Sequence, residues 1–296
     1  MKKARVIKAF CDFLESQGLS RTSIKGYSQI AINWLDLMDQ NGIDPRIAKY
    51  SDVLLFINEQ QKKGLKARTI NGKLRAIKWY YKHLQQTDRS IINPVIDIQM
   101  KGVIRKIAHD IVDYEDLEKL YENYPVASPI GKRNKVICGL LIYQGLSNGE
   151  IAKLRIENID LEAACIEVAA SRRSNQRRLK LKAVQIKGLD NYIHQVRPAI
   201  LVMRQTASER LIISTGKSEG INNVLTQVMR VLKRMNESIK NAKQIRASVI
   251  TYWLSKYNMR QVQYMAGHRY VSSTQHYKVD YLKTLKEGLD KYHPLG

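Results

Sequence analysis

The sequence predicts a mainly α-helical protein with a small β-sheet, organised as two domains. Apolar residues recur at helical spacing over most of the chain, whereas strand-like patterns are confined to short stretches near residues 165–181 and 211–213. The length of 296 residues is enough for one large or two ordinary domains. A hydrophobic content of 44% is enough to build their cores, which excludes a disordered polycation.

The first domain, residues 1–100, is predicted to contain four helices. Ser20 is a suitable N-cap for the second helix. Glycines mark the ends of the second and third helices, at Gly42 and Gly64, and the fourth begins near Thr69. Apolar residues on one side of each helix are expected to form the core of this domain.

The second domain, residues 113–296, follows a basic linker at 101–112 and is predicted to combine helices with a few short strands. The strands are expected at 165–168, 179–181 and 211–213. The predicted helices lie near residues 114–121, 135–144, 185–198, 220–235, 243–256, 259–266 and 280–292.

The positive charge predicts a polyanionic partner. Fifty Lys and Arg residues against 27 Asp and Glu give a formal charge of +23. Both halves of the chain are basic, so the excess is not a detachable tail. No lipidation motif or apolar run of ~20 residues points to a membrane. Double-stranded DNA, gripped along a long footprint, explains the charge best.

Cysteine and histidine usage predicts no metal site and no disulfide framework, and no other cofactor is expected. The three cysteines are odd in number and widely spaced, and the six histidines lack metal-ligand spacing. This composition favours the cytoplasm. For a DNA-binding protein we further expect association with the nucleoid of a prokaryotic cell.

Two basic segments are candidate DNA contacts. The fourth helix carries Arg68, Lys73, Arg75, Lys78 and Lys82. The segment 168–189 has no acidic residue, and its Arg177 and Arg178 are also expected to bind DNA. A solvated surface is the simpler interpretation of each cation, but the absence of acids favours phosphate contact.

The last sixty residues contain a series of candidate catalytic residues. Lys243 and Arg246 open a predicted helix, the pair Gly267-His268 follows, and Tyr277 lies nine residues beyond His268. The chain has sixteen tyrosines, so any one of these pieces alone would be weak evidence. Their order and spacing together resemble the closing motifs of the tyrosine recombinase, or phage integrase, family.

The resemblance extends over nearly the whole chain. Residues 20–27 and 69–95 resemble the family's N-terminal core-binding domain, which is helical and SAM-like, and residues 140–154 resemble the box that begins its catalytic site. It implies an α+β catalytic domain and a site-specific recombinase of a mobile element. Such enzymes cut and rejoin DNA through a 3′-phosphotyrosine without metal or ATP.

The resemblance also implies roles for individual residues. Tyr277 would be the nucleophile, Arg246 would hold two phosphate oxygens, and His268 would hydrogen-bond the phosphate or the tyrosine. Lys243 would donate to the phosphate or assist proton transfer. Arg172 takes the family position of a lysine that protonates the leaving oxygen, with Arg173 as the alternative register; guanidinium is a poor acid but a good phosphate clamp.

One position that is a catalytic arginine in the family is uncharged in this sequence. The first catalytic arginine of the family follows Gly-Leu, and here Ser147 occupies that position. Ser147 is also a suitable N-cap for the helix that follows. We expect a nearby cation to compensate, and the candidates are Arg133, Lys135, Lys153 and Arg155.

The family likeness implies a tetramer on two DNA sites, with accessory DNA-bending proteins as further partners. The C-terminal segment 282–289 would dock on a neighbouring protomer. Ser147 and Arg172 keep an alternative open, a catalytically impaired relative that serves as a DNA-binding architectural or regulatory protein. An unrelated helical DNA-binding regulator would leave the spacing of the closing motifs unexplained.

Overall fold

The computed structural model describes residues 2–101, 110–172, 174–216 and 220–277. The chain separates into two units, Met1–Arg105 and Lys106–Gly296. Helices dominate both, and the described strands form one small sheet in the second unit. The predicted fold class, mainly α with a small β-sheet, is confirmed.

The described part of the first unit contains the four predicted helices. Their bounds are α1 Lys2–Ser16, α2 Arg21–Gln40, α3 Tyr50–Lys62 and α4 Ala67–Thr87. Ser20 caps α2, as predicted, by accepting from the Ser23 amide. Gly42 and Gly64 follow α2 and α3 with φ of 65° and 72°, a conformation that glycine adopts without steric cost.

Aromatic rings hold these four helices together. Trp34 on α2 is fully buried and meets Phe56 of α3 and Tyr81 of α4 edge-on, at centroid distances of 5.7 and 6.3 Å. Phe10 of α1 packs edge-on against Tyr80 at 5.5 Å. Each such pair adds about 0.5–1.5 kcal/mol beyond the area that it buries.

Asn71 ties α4 to the end of the first unit. Its side chain donates to the Met100 carbonyl at 3.2 Å and accepts from the Met100 amide at 2.8 Å. Of the predicted linker 101–112, residues 102–109 lie outside the described residues. Val112, at its end, is buried in the second unit and donates its amide to Ser248 at 2.9 Å.

The second unit is built around helix α6, which is buried from Arg133 to its end except at Lys135. Its helices are α5 Tyr114–Glu122, α6 Pro129–Ile142, α7 Asn148–Ile151, α8 Ala183–Asn191, α9 Arg197–Arg204, α10 Asn222–Met235, α11 Ala242–Lys256 and α12 Met259–Ala266. A π-helical turn, Tyr192–Val196, joins α8 to α9. None of the described helices is both long and apolar enough to cross a membrane.

The sheet of the second unit has three antiparallel strands in the order β1-β2-β3. They span Ile159–Asp160, Cys165–Val168 and Arg177–Lys180. Ile166 pairs with Leu179 and Val168 with Arg177. Because side chains alternate across a strand, Arg177 and Leu179 face inward while their neighbours on β3 are exposed.

Several sequence predictions differ from the structure. Residues 211–213 are buried but form no strand. The neighbouring Arg210 forms only a single β-bridge, with Arg155, and the apolar side chains are buried without strand pairing. Helix α6 begins at Pro129, earlier than predicted, because Ser128 caps it. Residues 271–277 are helical, which the sequence did not predict, and the helix predicted at 280–292 lies outside the described residues.

Asn71→Ala should destabilise the first unit by about 1–2 kcal/mol, because the Met100 amide and carbonyl lose their shared partner. Urea denaturation of the full chain, followed by tryptophan fluorescence, measures the change in midpoint. Asn33→Ala is the matched control, since Asn33 is exposed on α2 and should change stability by less than about 0.5 kcal/mol. Equal midpoints for the two variants would contradict a structural role for Asn71.

Candidate active site

Arg246 joins three parts of the second unit. It lies on α11, whose first turn is fixed by the Asn241 N-cap. Its guanidinium donates to the carbonyls of Gly145 and Ala266 and lies 3.4 Å from a Glu150 carboxylate oxygen. With 15% of its side chain exposed, Arg246 is held in place yet can be reached from solvent.

Gly145 has to be glycine where it meets α11. Its φ is +56°, and a Cβ there would lie 3.2 Å from both Trp253 and Val249. An L side chain would therefore be strained as well as crowded. The bare backbone lets the Gly145 carbonyl reach Arg246.

Ser147 is the N-cap of α7, which confirms the capping interpretation. Its hydroxyl donates to the Glu150 carboxylate at 2.8 Å, and its amide donates to the same oxygen at 2.8 Å. The Glu150 amide in turn faces the Ser147 hydroxyl, so the two residues form a capping box. Ser147 is thus engaged locally and brings no positive charge to the site.

Arg177 lies beside this capping box. Its Nη1 donates to Glu150 Oε1 at 2.7 Å, and its Nε donates to the Met265 carbonyl at 2.9 Å. The residue is only 2% exposed. A Cβ on Gly267 would come within 2.4 Å of Nη1, so the guanidinium packs directly against that glycine.

Arg177 was predicted to lie on a DNA-contacting surface, but its side chain is buried. A guanidinium enclosed by Glu150, Met265 and Gly267 is not a surface cation. The alternation of side chains along a strand could have predicted this burial. Arg177 lies on the same face as Leu179 and Leu181, and both leucines are buried. Arg178, on the opposite face, is exposed and pairs with Asp160 at 3.2 Å.

Two guanidinium groups share the Glu150 carboxylate. Burial would raise its pKa, but the hydrogen bond and charge of Arg177 and the charge of Arg246 outweigh burial and lower it to about 2. Glu150 is therefore ionised at neutral pH, and the trio carries a net charge of one positive. Burial and Arg177 lower the pKa of Arg246, which stays protonated because an arginine starts above ~12.

His268 adjoins the arginines as a neutral imidazole. Helix α12 ends at Gly267, whose φ of 67° turns the chain so that His268 follows directly. Burial, then the charges of Arg246 and Arg177, lower the pKa of His268 to about 4. Its Nδ1 lies 2.9 Å from the hydroxyl of Thr274, which is fully buried. The tautomer decides the role of Nε2, an acceptor if Nδ1 carries the proton and a donor if Thr274 donates.

Tyr277 lies next to His268, as the family resemblance implied. The two rings are nearly parallel, at an interplanar angle of 10° and a centroid distance of 5.9 Å. The helical segment 271–277 sets this geometry, with Thr274 inside and Tyr277 packed against the core at its end. The nine-residue spacing therefore corresponds to a turn followed by two helical turns.

Arg172 lies on the loop between β2 and β3 and is exposed. The loop is attached to the histidine segment, because Asn175 donates its amide to the Gly267 carbonyl at 2.9 Å and Ser174 forms a bridge with His268. Arg269 also donates to the Ser171 carbonyl at 3.0 Å. Arg173 lies outside the described residues.

Lys243, on the first turn of α11, is exposed. The structure thus brings together Arg246, His268 and Tyr277, with Glu150 and Arg177 as additional members, while Lys243 and Arg172 stand at its exposed margin. Among the described residues, no cluster of three His, Cys, Asp or Glu side chains could hold a metal ion.

Three of the four predicted compensating cations have partners of their own. Arg133 is fully buried and bonds the Ile213 carbonyl and Asn134. Lys135 donates to the Glu122 carbonyl. Arg155 pairs with Glu209 at 2.8 Å and lines a shallow cavity with Lys153. Arg133, Lys135 and Arg155 are thus engaged by groups other than Ser147 and Glu150, whereas Lys153 is exposed.

The cations of α4 differ in exposure. Arg68, Arg75 and Lys82 are exposed, whereas Lys78 is half-buried. Lys73 donates to the Gln60 side chain at 2.5 Å, and burial lowers its pKa. The first three are therefore the freest to meet a polyanion.

Acidification should destabilise the second unit through His268. Because its folded pKa of about 4 lies below the ordinary 6.5, the folded state favours the neutral imidazole. The resulting contribution to the free energy of unfolding is complete above pH 6.5 and is lost as the pH falls towards 4. Between pH 7 and 5 the free energy of unfolding should drop by up to about 2 kcal/mol more in the parent than in His268→Gln. Denaturation at both pH values measures this, and equal drops would contradict a depressed pKa.

Two family models match the chain. The model described as the phage integrase family matches residues 111–282, and the one described as the phage integrase N-terminal SAM-like domain matches residues 7–87. Tyrosine recombinase XerC of Bacillus pumilus (strain SAFR-032) is 24% identical over 300 residues, covering 99% of this chain and 97% of the relative. Tyrosine recombinase XerA of Pyrococcus furiosus is 25% identical, covering 98% and 94%.

The solved structures share the fold. The XerH site-specific recombinase bound to a palindromic difH substrate superimposes with a TM-score of 0.69 at 16% identity, over 94% of this chain and 81% of that one. Its likeness supports the architecture alone. Since the integrase model covers more than half of the chain and the SAM-like model covers its first unit, this chain belongs to the phage integrase family of tyrosine site-specific recombinases, enzymes that cut and rejoin DNA strands.

Proposed function

We propose that this chain cuts and rejoins duplex DNA with Tyr277 as the nucleophile, as a recombinase of a mobile element. The observation that carries the proposal is the clustering of Tyr277 and His268, whose rings stack, beside the positive charge of Arg246. The tyrosine oxygen attacks phosphorus and the bond to the 5′-oxygen breaks. The products are a 3′-phosphotyrosine and a free 5′-hydroxyl, so rejoining needs no ATP.

The proposed roles follow the chemistry of each side chain. Arg246 holds phosphoryl oxygens on which negative charge builds in the transition state. His268, neutral because its pKa is about 4, accepts the tyrosine proton or bonds the phosphate, according to its tautomer. Its contact with Thr274 fixes the ring for either role.

The exposed cations act on the phosphate and on the leaving oxygen. Lys243 donates to the phosphate or assists proton transfer to the leaving oxygen, which a lysine can do and an arginine cannot. Arg172 clamps the phosphate from the β2–β3 loop, with Arg173 as the alternative. Attachment of that loop to Gly267 and His268 keeps it near the scissile position.

DNA is the proposed partner. Among the structural neighbours, XerH is bound to difH and the Tn1549 integrase is in complex with circular intermediate DNA. We infer that residues 1–100 form a core-type DNA-binding domain, 101–112 a basic linker and 113–296 the catalytic domain. A tetramer on two sites, assembled through residues 282–289 and assisted by DNA-bending proteins, would act at the nucleoid of a prokaryotic cell.

One observation favours a second candidate function. Ser147 is engaged in a capping box and carries no charge, which would suit a catalytically impaired relative that binds DNA as an architectural or regulatory protein. Strand cleavage separates the two candidates, because only the enzyme forms a covalent bond to DNA.

The test is formation of a covalent adduct. Sites selected from random duplexes by tight binding to the full chain would be nicked beside each candidate phosphate, so that cleavage becomes irreversible. We expect an SDS-resistant complex with the parent protein and none with Tyr277→Phe. Tyr270→Phe, which alters an exposed tyrosine seven residues earlier, should retain the adduct. Tight binding without any adduct would support the regulatory function instead.

Helix α4 should contribute nonspecific phosphate contacts. Arg75→Gln removes one exposed cation, so the slope of log affinity against log salt should fall in magnitude by about 0.9. Fluorescence anisotropy with a labelled duplex, at several salt concentrations, measures the slope. Arg46→Gln removes the same charge from an exposed position outside α4 and should leave it unchanged. Equal slopes for parent and Arg75→Gln would exclude this residue from the interface.

A further inference from the structure

The phosphate site lacks a guanidinium at the position where the chain has Ser147. The Ser147 hydroxyl and amide are both engaged with Glu150, so this residue has no charge and no free donor to offer. The transition state of phosphoryl transfer concentrates negative charge on the oxygens around phosphorus. The site therefore needs a second fixed cation beside Arg246.

Arg177 lies where such a cation is needed. Glu150 bonds Arg177 through Oε1 and faces Arg246 through Oε2, at 2.7 and 3.4 Å, so the two guanidiniums flank one carboxylate. Arg177 also packs against Gly267, the residue before His268. Strand β3 and the Met265 carbonyl hold the group rigidly, as electrostatic preorganisation requires.

One nitrogen of Arg177 has nothing to bond. Its Nη2 is buried and has no hydrogen-bond partner among the described residues, whereas Nη1 and Nε each have one. Buried polar groups without partners are rare in folded proteins, because each forfeits the hydrogen bonds that water would give. An acceptor supplied by a ligand would remove this deficit.

We propose that Arg177 is a further catalytic residue, whose Nη2 donates to a non-bridging oxygen of the scissile phosphate and so replaces the arginine absent at Ser147. The inference rests on the proposed function. Glu150 neutralises only one of the two guanidiniums, so the pair presents one net positive charge to the phosphate. Since Nη2 is enclosed in the free protein, this contact requires that residues packed against Arg177, Gly267 among them, move when DNA binds.

The test compares two nicked DNA substrates in single-turnover cleavage. One has the ordinary phosphate, and the other has a methylphosphonate, in which a neutral methyl group replaces one charged oxygen. Arg177→Met should slow cleavage of the phosphate by about 10²–10³-fold, the usual loss for one oriented donor. The penalty should shrink to less than about tenfold on the methylphosphonate, because less charge needs compensation. A residue that only supports the fold would incur the same penalty on both.

Two further variants sharpen the comparison. Ser147→Arg in the Arg177→Met background returns a guanidinium from the other side of Glu150 and should recover much of the lost rate. Arg197→Met is the matched control, because Arg197 is also buried but bonds the Ser208 and Arg210 carbonyls. Any effect of Arg197→Met should be equal on the two substrates.

The outcomes are distinguishable. Parent cleavage with equal Arg177→Met penalties on both substrates would overturn this inference and leave the proposed function intact. The same conclusion would follow if Arg177→Met cleaved the phosphate at the parent rate. No cleavage by the parent protein would overturn the proposed function, and this inference with it.

Discussion

The candidate active site depends on one buried carboxylate. Two guanidiniums as close as those of Arg177 and Arg246 would repel strongly in a buried environment, and Glu150 makes their proximity possible. The carboxylate is itself fixed, since the Ser147 amide and hydroxyl bind one of its oxygens. The cap of a four-residue helix therefore determines where the positive charge of the site lies.

This arrangement connects distant parts of the chain and sets the protonation of its neighbour. Glu150 follows the α6–α7 turn, Arg177 belongs to β3, and Arg246 belongs to α11. Their combined charge and local burial keep His268 neutral, which suits a group that must exchange a proton with Tyr277 or bond a phosphate. The fold thus places a positive charge and a proton acceptor side by side.

Local patterns in the sequence predicted most of the helices and part of the site. The nine residues from His268 to Tyr277 form one turn and one short helix, which brings the two rings together as the family resemblance implied. Arg177 was missed because its partner Glu150 is 27 residues away and the contact depends on which face of β3 turns inward. Residues 211–213 show the converse: an apolar run specifies burial but does not provide a neighbouring strand.

If Arg177 acts as proposed, serine at position 147 leaves the positive charge of the site to Arg177 and Arg246. An arginine there would meet a carboxylate already bonded to Arg177 and facing Arg246, and three guanidiniums would then share one negative charge. Serine caps α7 better than arginine would and holds Glu150 for the two cations that are present. In a chain with a formal charge of +23, cations are abundant, so their placement around one anion determines the chemistry.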